Sequence, residues 1–352
     1  MNKKLDSVKP DLTVSRASIT SDRLAILRLW SLGFPQNIQL FDAKYAWFYQ
    51  APEVSGAQLY LLNNDTQPIG VLGLGVRHFL FCGGKTKAGL LVDFTVDPAF
   101  RSIGPAMKLI RASTERAAES LPLLYGFPNP KSLLIYKRIG FKTLANELNF
   151  IKVLNYSGYL AKYSKVFGPI LGKLMGFFSR WVETIRNVGL KRLYRCRIEN
   201  SCPAAIDELW LRRHSSNMCM IERDCEFLKW RFDNHPEETF YYFTVTNIGS
   251  QKLDAYLVYK LSAEDRVVIT DFLALNDHGV LTKLFRMFCQ YMRNEGYKSI
   301  ALKFLGSDDV INVIKKTGFV VRGEEPVIFF SNEKNSHIDD SQHWYITAAD
   351  RD

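Results

Sequence analysis

Short strand-like and helix-like stretches alternate along the chain from its beginning. Leu12 to Ile19 suits a strand, and Asp22 precedes a helical run whose apolar positions are Leu24, Leu27 and Trp30. A shorter helix follows from Ala43 to Tyr49. Gln58 to Leu62 and Ile69 to Phe81 read as strands joined by the turn-rich run Asn63-Asn64-Asp65-Thr66. Leu90 to Val96 is another strand, and Pro105 to Glu119 is a helix with proline in its first turn. Leu123 to Gly126, Lys131 to Ile139 and Thr143 to Leu154 add a strand, a helix and a strand. The succession β-α-α-β-β-β-α-β-α-β predicts an α/β fold built on a mixed sheet, of the α+β kind.

The same pattern returns later in the chain. A shift of 178 residues brings Asp271-Phe272 onto Asp93-Phe94 and Gly318-Phe319 onto Gly140-Phe141, without a gap. The helix from Lys283 to Glu295 falls on the one from Pro105 to Ala117. Trp47-Phe48-Tyr49 before Pro52 is echoed by Trp230-Arg231-Phe232 before Pro236. Two copies of one fold are expected, the alternative being a coincidence of apolar spacing.

Chemistry concentrates in the first copy. Arg101-Ser102-Ile103-Gly104-Pro105-Ala106 joins a strand to a helix, and such a turn offers backbone N–H groups and a helix dipole to a pyrophosphate. Taken alone, such a turn is weak evidence, because glycine before a helix is often only a connection. Downstream, Asn129, Ser132, Tyr136, Gly140 and Phe141 stand at offsets 0, 3, 7, 11 and 12. On a helix this puts Asn129 at the start, Ser132 and Tyr136 on one face and Gly140 just past the end. A tyrosine of ordinary pKa about 10 is protonated at neutral pH and can give its proton to a departing thiolate; its other reading is a core residue of an amphipathic helix. Asp93 is the sole ionisable residue between Leu90 and Val96. A carboxylate among apolar neighbours is a candidate proton acceptor, although Asp271 at the matching position also suits a structural role common to both copies.

Together the two motifs resemble the GNAT N-acetyltransferase superfamily, with its R/Q-x-x-G-x-G/A turn and its N-x-x-A/S-x-x-x-Y-x-x-x-G-F helix. The resemblance covers Leu12 to about Leu154, and Gly126-Phe127-Pro128-Asn129 with the tandem arrangement looks like a bacterial subgroup associated with surface polysaccharide. It implies two tandem GNAT-like domains and acetyl-CoA, or another acyl-CoA, as co-substrate. Arg101, Ser102, Ile103, Gly104, Pro105 and Ala106 would hold its pyrophosphate; the backbone of Phe94, Thr95 and Val96 would pair with pantetheine; Asn129 and Ser132 would touch the cofactor from the other side. Tyr136 would be the general acid and Asp93 the base. In the second copy Arg101, Gly104 and Ala106 correspond to Gly279, Thr282 and Leu284, and Asn129 and Tyr136 to Ser307 and Ile314. That copy is expected to be silent, covering the first site or shaping its acceptor pocket.

Length and charge refine this picture. At 352 residues the chain exceeds a single core, and about 150 residues per domain is usual. The expected division is residues 1–155, a connector over 156–197 and a degenerate copy over 198–352. The net charge of +10 is concentrated: Tyr156 to Arg197 holds nine Lys/Arg against Glu183 alone. A nucleic-acid surface is therefore disfavoured. In the connector Leu160, Tyr163, Phe167, Ile170, Leu174, Phe177 and Trp181 follow helical spacing, with Lys162, Lys165, Lys173 and Arg180 largely off that stripe. It reads either as a helix bridging the domains or as a peripheral membrane contact through residues 160–186. Neither the charged amino terminus nor any apolar run suits a signal or a membrane span, so a cytoplasmic protein, or one peripheral at the inner face of the membrane, is expected. The six cysteines and six histidines show no metal-ligand spacing, and no metal is expected. The expected activity is acyl transfer by direct attack on the thioester, to a small or lipid-linked amino sugar or sugar nucleotide. The alternative is a non-catalytic module that binds membrane or a polysaccharide-assembly partner; aminoacyl transfer to a peptidoglycan precursor is a further reading.

Overall fold

A computed structural model describes residues 12–51, 56–81, 84–155, 190–213, 218–275, 278–332 and 336–351. The amphipathic stripe of the connector lies outside the described residues. The labelled elements are β1 (Leu12–Arg16), α1 (Arg23–Gly33), α2 (Phe41–Tyr49), β2 (Gln58–Asn64), β3 (Gln67–Phe81), β4 (Gly84–Val96), α3 (Ile103–Ala118), β5 (Leu123–Gly126), α4 (Pro130–Ile139) and β6 (Lys142–Val153). Then follow β7 (Tyr194–Glu199), α5 (Ala205–Arg212), β8 (Met220–Ile221), β9 (Tyr241–Asn247), β10 (Leu253–Ser262) and β11 (Arg266–Ala274). The chain closes with α6 (His278–Asn294), β12 (Ser299–Gly306), α7 (Asp308–Lys316), β13 (Val320–Ser331) and β14 (Tyr345–Thr347).

Two compact units result, one of Met1–His78, Lys87–Thr143 and Val327–Lys334, the other of Phe79–Thr86, Leu144–Pro326 and Asn335–Asp352. Strand order in the first unit is β1-β2-β3-β4-β5, continued by the end of β13, whose Ile328 to Ser331 pair antiparallel with Leu123 to Gly126. In the second it is β6-β12-β11-β10-β9-β7. β6 and β13 are counterparts in the repeat, since residues 142–153 shifted by 178 give 320–331. Each therefore completes the unit that the other copy begins.

Every element is built by ordinary sequence physics. The core of the first unit gathers Tyr60, Leu62, Ile69, Leu72 and Leu74 from β2 and β3, Leu109 and Ile110 from α3, and Tyr136 from α4. Each such apolar side chain contributes about 1.5–3 kcal/mol by leaving water. α1 buries Ile26, Leu29 and Trp30, whereas Leu24, an expected core position, is 78% exposed. Trp30 packs against the rings of Phe41, Tyr45 and Tyr49, and the buried face passes through Ile26 and Leu29. In the second unit Phe285 and Phe288 of α6 pack on Phe272 and Phe243 of the sheet. Among the described residues no helix is long and apolar enough to cross a membrane.

Candidate active site

The sheet of the first unit opens at one point. β4 and β5 run parallel from Ala88↔Leu123 to Leu91↔Gly126, where their pairing stops. Two residues on, Asp93 has φ +51°, in the left-handed region that non-glycine residues rarely enter. Such strain costs about 1–3 kcal/mol and persists where surrounding structure enforces it. Leu91 belongs to the core beside α3 and α4, and Phe94 packs against that same core. Val92 and Asp93 both lie by Tyr49 of α2 on the opposite face, as a bulge requires when it inserts one residue into the alternation.

The carboxylate of Asp93 is held from α2. It accepts from Lys44 Nζ at 2.7 Å and from the Tyr49 hydroxyl at 2.5 Å. Gly73 makes this possible, because a Cβ there would collide with the Tyr49 hydroxyl. Gly33 serves Thr95 in the same way, its missing side chain leaving room for the threonine hydroxyl. Thr95 thus faces α1, while its neighbours Phe94 and Val96 alternate away from it. Sequence spacing missed Lys44 and Tyr49; the echo of the Trp47-Phe48-Tyr49 run was the available signal for Tyr49.

Beyond the opening, α3 begins with its donors exposed. Ser102 is extended, its side chain makes no cap hydrogen bond and no acid stands in the first turn. Of the leading N–H groups, Ala106 reaches the Ser102 carbonyl at 3.5 Å. Proline at position 105 supplies no donor, leaving Ile103 and Gly104 to present theirs. Arg101, Ser102, Ile103 and Gly104 are exposed, and a Cβ built on Gly104 would meet nothing within 4 Å. The surface is therefore open where an anion would approach the helix dipole. Arg101 donates from Nε and Nη2 to the Val96 carbonyl at 3.4 and 3.3 Å, which fixes its guanidinium between the end of β4 and the start of α3.

The second motif resolves into helix-ending chemistry. Asn129 Oδ1 accepts from the N–H groups of Lys131 and Ser132, both at 3.0 Å, and the Ser132 hydroxyl donates to the Asn129 carbonyl at 3.2 Å. These two residues cap α4; Ser132 is buried, so its hydroxyl is spent on the cap. At the other end Gly140 has φ +112°, and the Phe141 N–H returns to the Tyr136 carbonyl at 3.1 Å. The turn brings Phe141 edge-on to Tyr136, with ring centroids 5.1 Å apart. Among the described residues the Tyr136 hydroxyl has no hydrogen-bond partner, and burial pushes its pKa above the ordinary phenol value. Tyr136 is therefore a protonated phenol on the α3/α4 side of the sheet, while Asp93 is held on the α2 side.

The second unit repeats the frame and closes it. β11 and β12 run parallel from Arg266↔Ser299 to Ile269↔Leu302, after which a bulge precedes Asp271. The edge of β12 then pairs with β14 of the chain's own tail, Phe304↔Thr347 to Gly306↔Tyr345. The Tyr345 hydroxyl donates to the carbonyl of Phe272, counterpart of Phe94, at 2.5 Å. Asp271 is fully buried against Arg223 at 3.2 Å, with Tyr256 and Thr347 donating to it and Asp350 completing the Arg223 pair at 2.6 Å. Leu284 and Ile314, at the positions of Ala106 and Tyr136, are both buried core residues. In the first unit, by contrast, no strand among the described residues takes the place of β14 beyond Gly126, where β5 ends. Among the described residues there is no group of three or more His, Cys, Asp or Glu able to hold a metal ion.

Residues 15–144 match the family model of the acetyltransferase (GNAT) domain. No curated protein matches the sequence significantly. A GCN5-related N-acetyltransferase from Anabaena variabilis superposes with a TM-score of 0.62 at 12% identity, over 90% of this chain and 72% of that one. A tandem GNAT protein of the clavulanic acid biosynthesis pathway does so with a TM-score of 0.54 at 11% identity, over 93% of this chain and 100% of that one. The GCN5-related glucosamine N-acetyltransferase region of a fungal multi-domain GH3 β-N-acetylglucosaminidase gives a TM-score of 0.56 at 9% identity, over 92% of this chain and 38% of that one. The fold is that of tandem GNAT proteins, and residues 15–144 are similar to the GNAT acetyltransferase domain.

Proposed function

We propose that the first unit transfers an acyl group, most readily acetyl, from acyl-CoA to an amino group by direct attack on the thioester. The observation that carries this reading is the opened sheet at Asp93, flanked by the uncapped start of α3 and by the protonated phenol of Tyr136. Acyl-CoA fits the residues present: two backbone donors and Arg101 answer to a pyrophosphate, and the stretch of β4 beyond Leu91, where its pairing with β5 stops, answers to the amides of pantetheine. When bound, the co-substrate supplies an activated carbonyl. Ile103, Gly104 and Arg101 would hold the diphosphate, with Ser102, Pro105 and Ala106 shaping the turn, and Phe94, Thr95 and Val96 would orient the arm. Asn129 and Ser132 support it indirectly by fixing the start of α4.

Tyr136 gives its proton to the sulfur as the C–S bond breaks, and Asp93 takes the proton that the attacking nitrogen loses. Asp93 can do so once Lys44 is displaced from it. Removing the Tyr136 hydroxyl leaves no buried partner unsatisfied, so Tyr136→Phe should fold normally while slowing turnover about 10²–10⁴-fold, the usual contribution of general acid–base catalysis. Thiol release with acetyl-CoA and a panel of amino sugars measures this; unchanged turnover contradicts the assignment.

The acceptor we favour is an amino sugar or sugar nucleotide, free or lipid-linked. Its support is the sequence likeness to polysaccharide-associated tandem proteins, together with the glucosamine acetyltransferase region among the structural neighbours. Attachment at the inner membrane face through residues 160–186 would suit a lipid-linked acceptor.

A further inference from the structure

The amine that touches the candidate base belongs to the protein itself. Lys44 Nζ lies 2.7 Å from Asp93 Oδ1, with the side chains 24% and 7% exposed. It also stands 5.9 Å from the ring centroid of Trp30, itself buried, so the ammonium is held between a carboxylate and an aromatic face. A reacting amine needs the same two neighbours, one to accept its proton and one to bind its charged form. Asp93 directly precedes Phe94 to Val96, the stretch to which the proposed function assigns the acyl-bearing arm.

The second unit provides the comparison. There the matching aspartate, Asp271, also has a tyrosine donor and a cation, yet the cation is Arg223, and both charged side chains are 0% exposed. A guanidinium in a sealed pair neutralises charge and can do nothing more. In the unit with the opened sheet the cation is a lysine, part-exposed and with a nitrogen that becomes nucleophilic on losing a proton.

We propose that Lys44 is itself an acyl acceptor, so that the first unit acetylates its own Lys44 when no other amine is bound. This rests on the acyl-CoA reading of the same site. In the step, a proton leaves Nζ for Asp93 and the nitrogen lone pair attacks the thioester carbonyl. The C–N amide bond forms and the C–S bond breaks as Tyr136 protonates the departing thiolate; the second proton lost by Nζ passes through solvent to restore the Tyr136 phenol, and Asp93 releases its proton to solvent. Acetyl-CoA and the lysine ammonium give acetyl-lysine, free CoA and one proton. The modified side chain is neutral, so the ion pair to Asp93 is lost.

The test is incubation of the full chain with isotopically labelled acetyl-CoA without acceptor, followed by peptide mass spectrometry, alongside Tyr136→Phe and Asp93→Asn variants and a thiol-release assay with amino sugars. The expected result is acetyl on Lys44, reduced at least tenfold in both variants. Label on Lys44 that neither variant reduces is chemical acetylation and overturns the proposal. Thiol release with an amino sugar while Lys44 stays unlabelled also overturns it, yet leaves the transferase reading intact. Neither label nor thiol release overturns both.

Discussion

At the scale of single residues, the proposed function depends on two protonation states held on opposite faces of one sheet. Burial raises the Tyr136 pKa, so its proton is available throughout the neutral range. The alkaline limb of a kcat profile should therefore not be set by Tyr136 below pH about 10, the unperturbed phenol value; a falling limb near neutrality that disappears in Tyr136→Phe would contradict this. Stability has its own alkaline signature. Tyr45 is pushed up to about 12 by burial, and Tyr136 is raised for the same reason. Phenols of the unfolded chain ionise from about pH 10. A group with a raised folded pKa stabilises the fold below the unfolded value and loses that contribution as pH climbs through the folded one. The melting temperature should accordingly fall above pH about 10. Much of this scale was legible in sequence, because Asn129, Tyr136, Gly140 and Phe141 are tied by helical spacing. The Lys44–Asp93–Tyr49 group was not, since it joins residues 49 and 44 positions apart through a bulge that no local pattern announces.

At the scale of elements, the start of α3 separates stability from binding. A Cβ at Gly104 meets nothing, and alanine is favoured over glycine within helices by up to about 1 kcal/mol. Gly104→Ala should leave the melting temperature unchanged or raise it while weakening CoA affinity, as read by thermal shift and titration. A variant that is more stable and binds equally well would argue that the diphosphate does not approach there. β14 makes the converse point in the second unit, where a strand of the chain fills the space beside β12. Periodicity gave the order of strands and helices in the first copy, although β4 starts at Gly84 and not at Leu90, and in the second copy it placed α6, which starts at His278 and not at Lys283. It gave no hint that Tyr345–Thr347 pairs with Phe304–Gly306, because a three-residue strand carries too little pattern to be read.

At the scale of the whole molecule, the repeat is conserved in framework and unequal in chemistry. The fully buried Arg223–Asp271–Asp350 group is structural, and removing one member of such a group typically costs about 3–5 kcal/mol by stranding the remaining charge. Asp271→Ala should lower stability by that order in chemical denaturation, whereas Asp93→Asn, whose partner Lys44 is 24% exposed and can reach water, should act mainly on turnover. The gapless shift of 178 residues made the repeat visible in sequence. Which unit each last strand joins was hidden, because β6 and β13 match in pattern and either sheet satisfies it equally. A single acyl-CoA site is proposed, in the first unit, because β14 takes the corresponding place beside β12 in the second. Calorimetric titration of the full chain with CoA tests it most directly, beside Gly104→Asp, which puts a negative charge in the cradle. One CoA per chain is expected, with binding abolished or weakened at least tenfold in the variant; two CoA per chain, or a variant that binds as the wild type does, would overturn the single site.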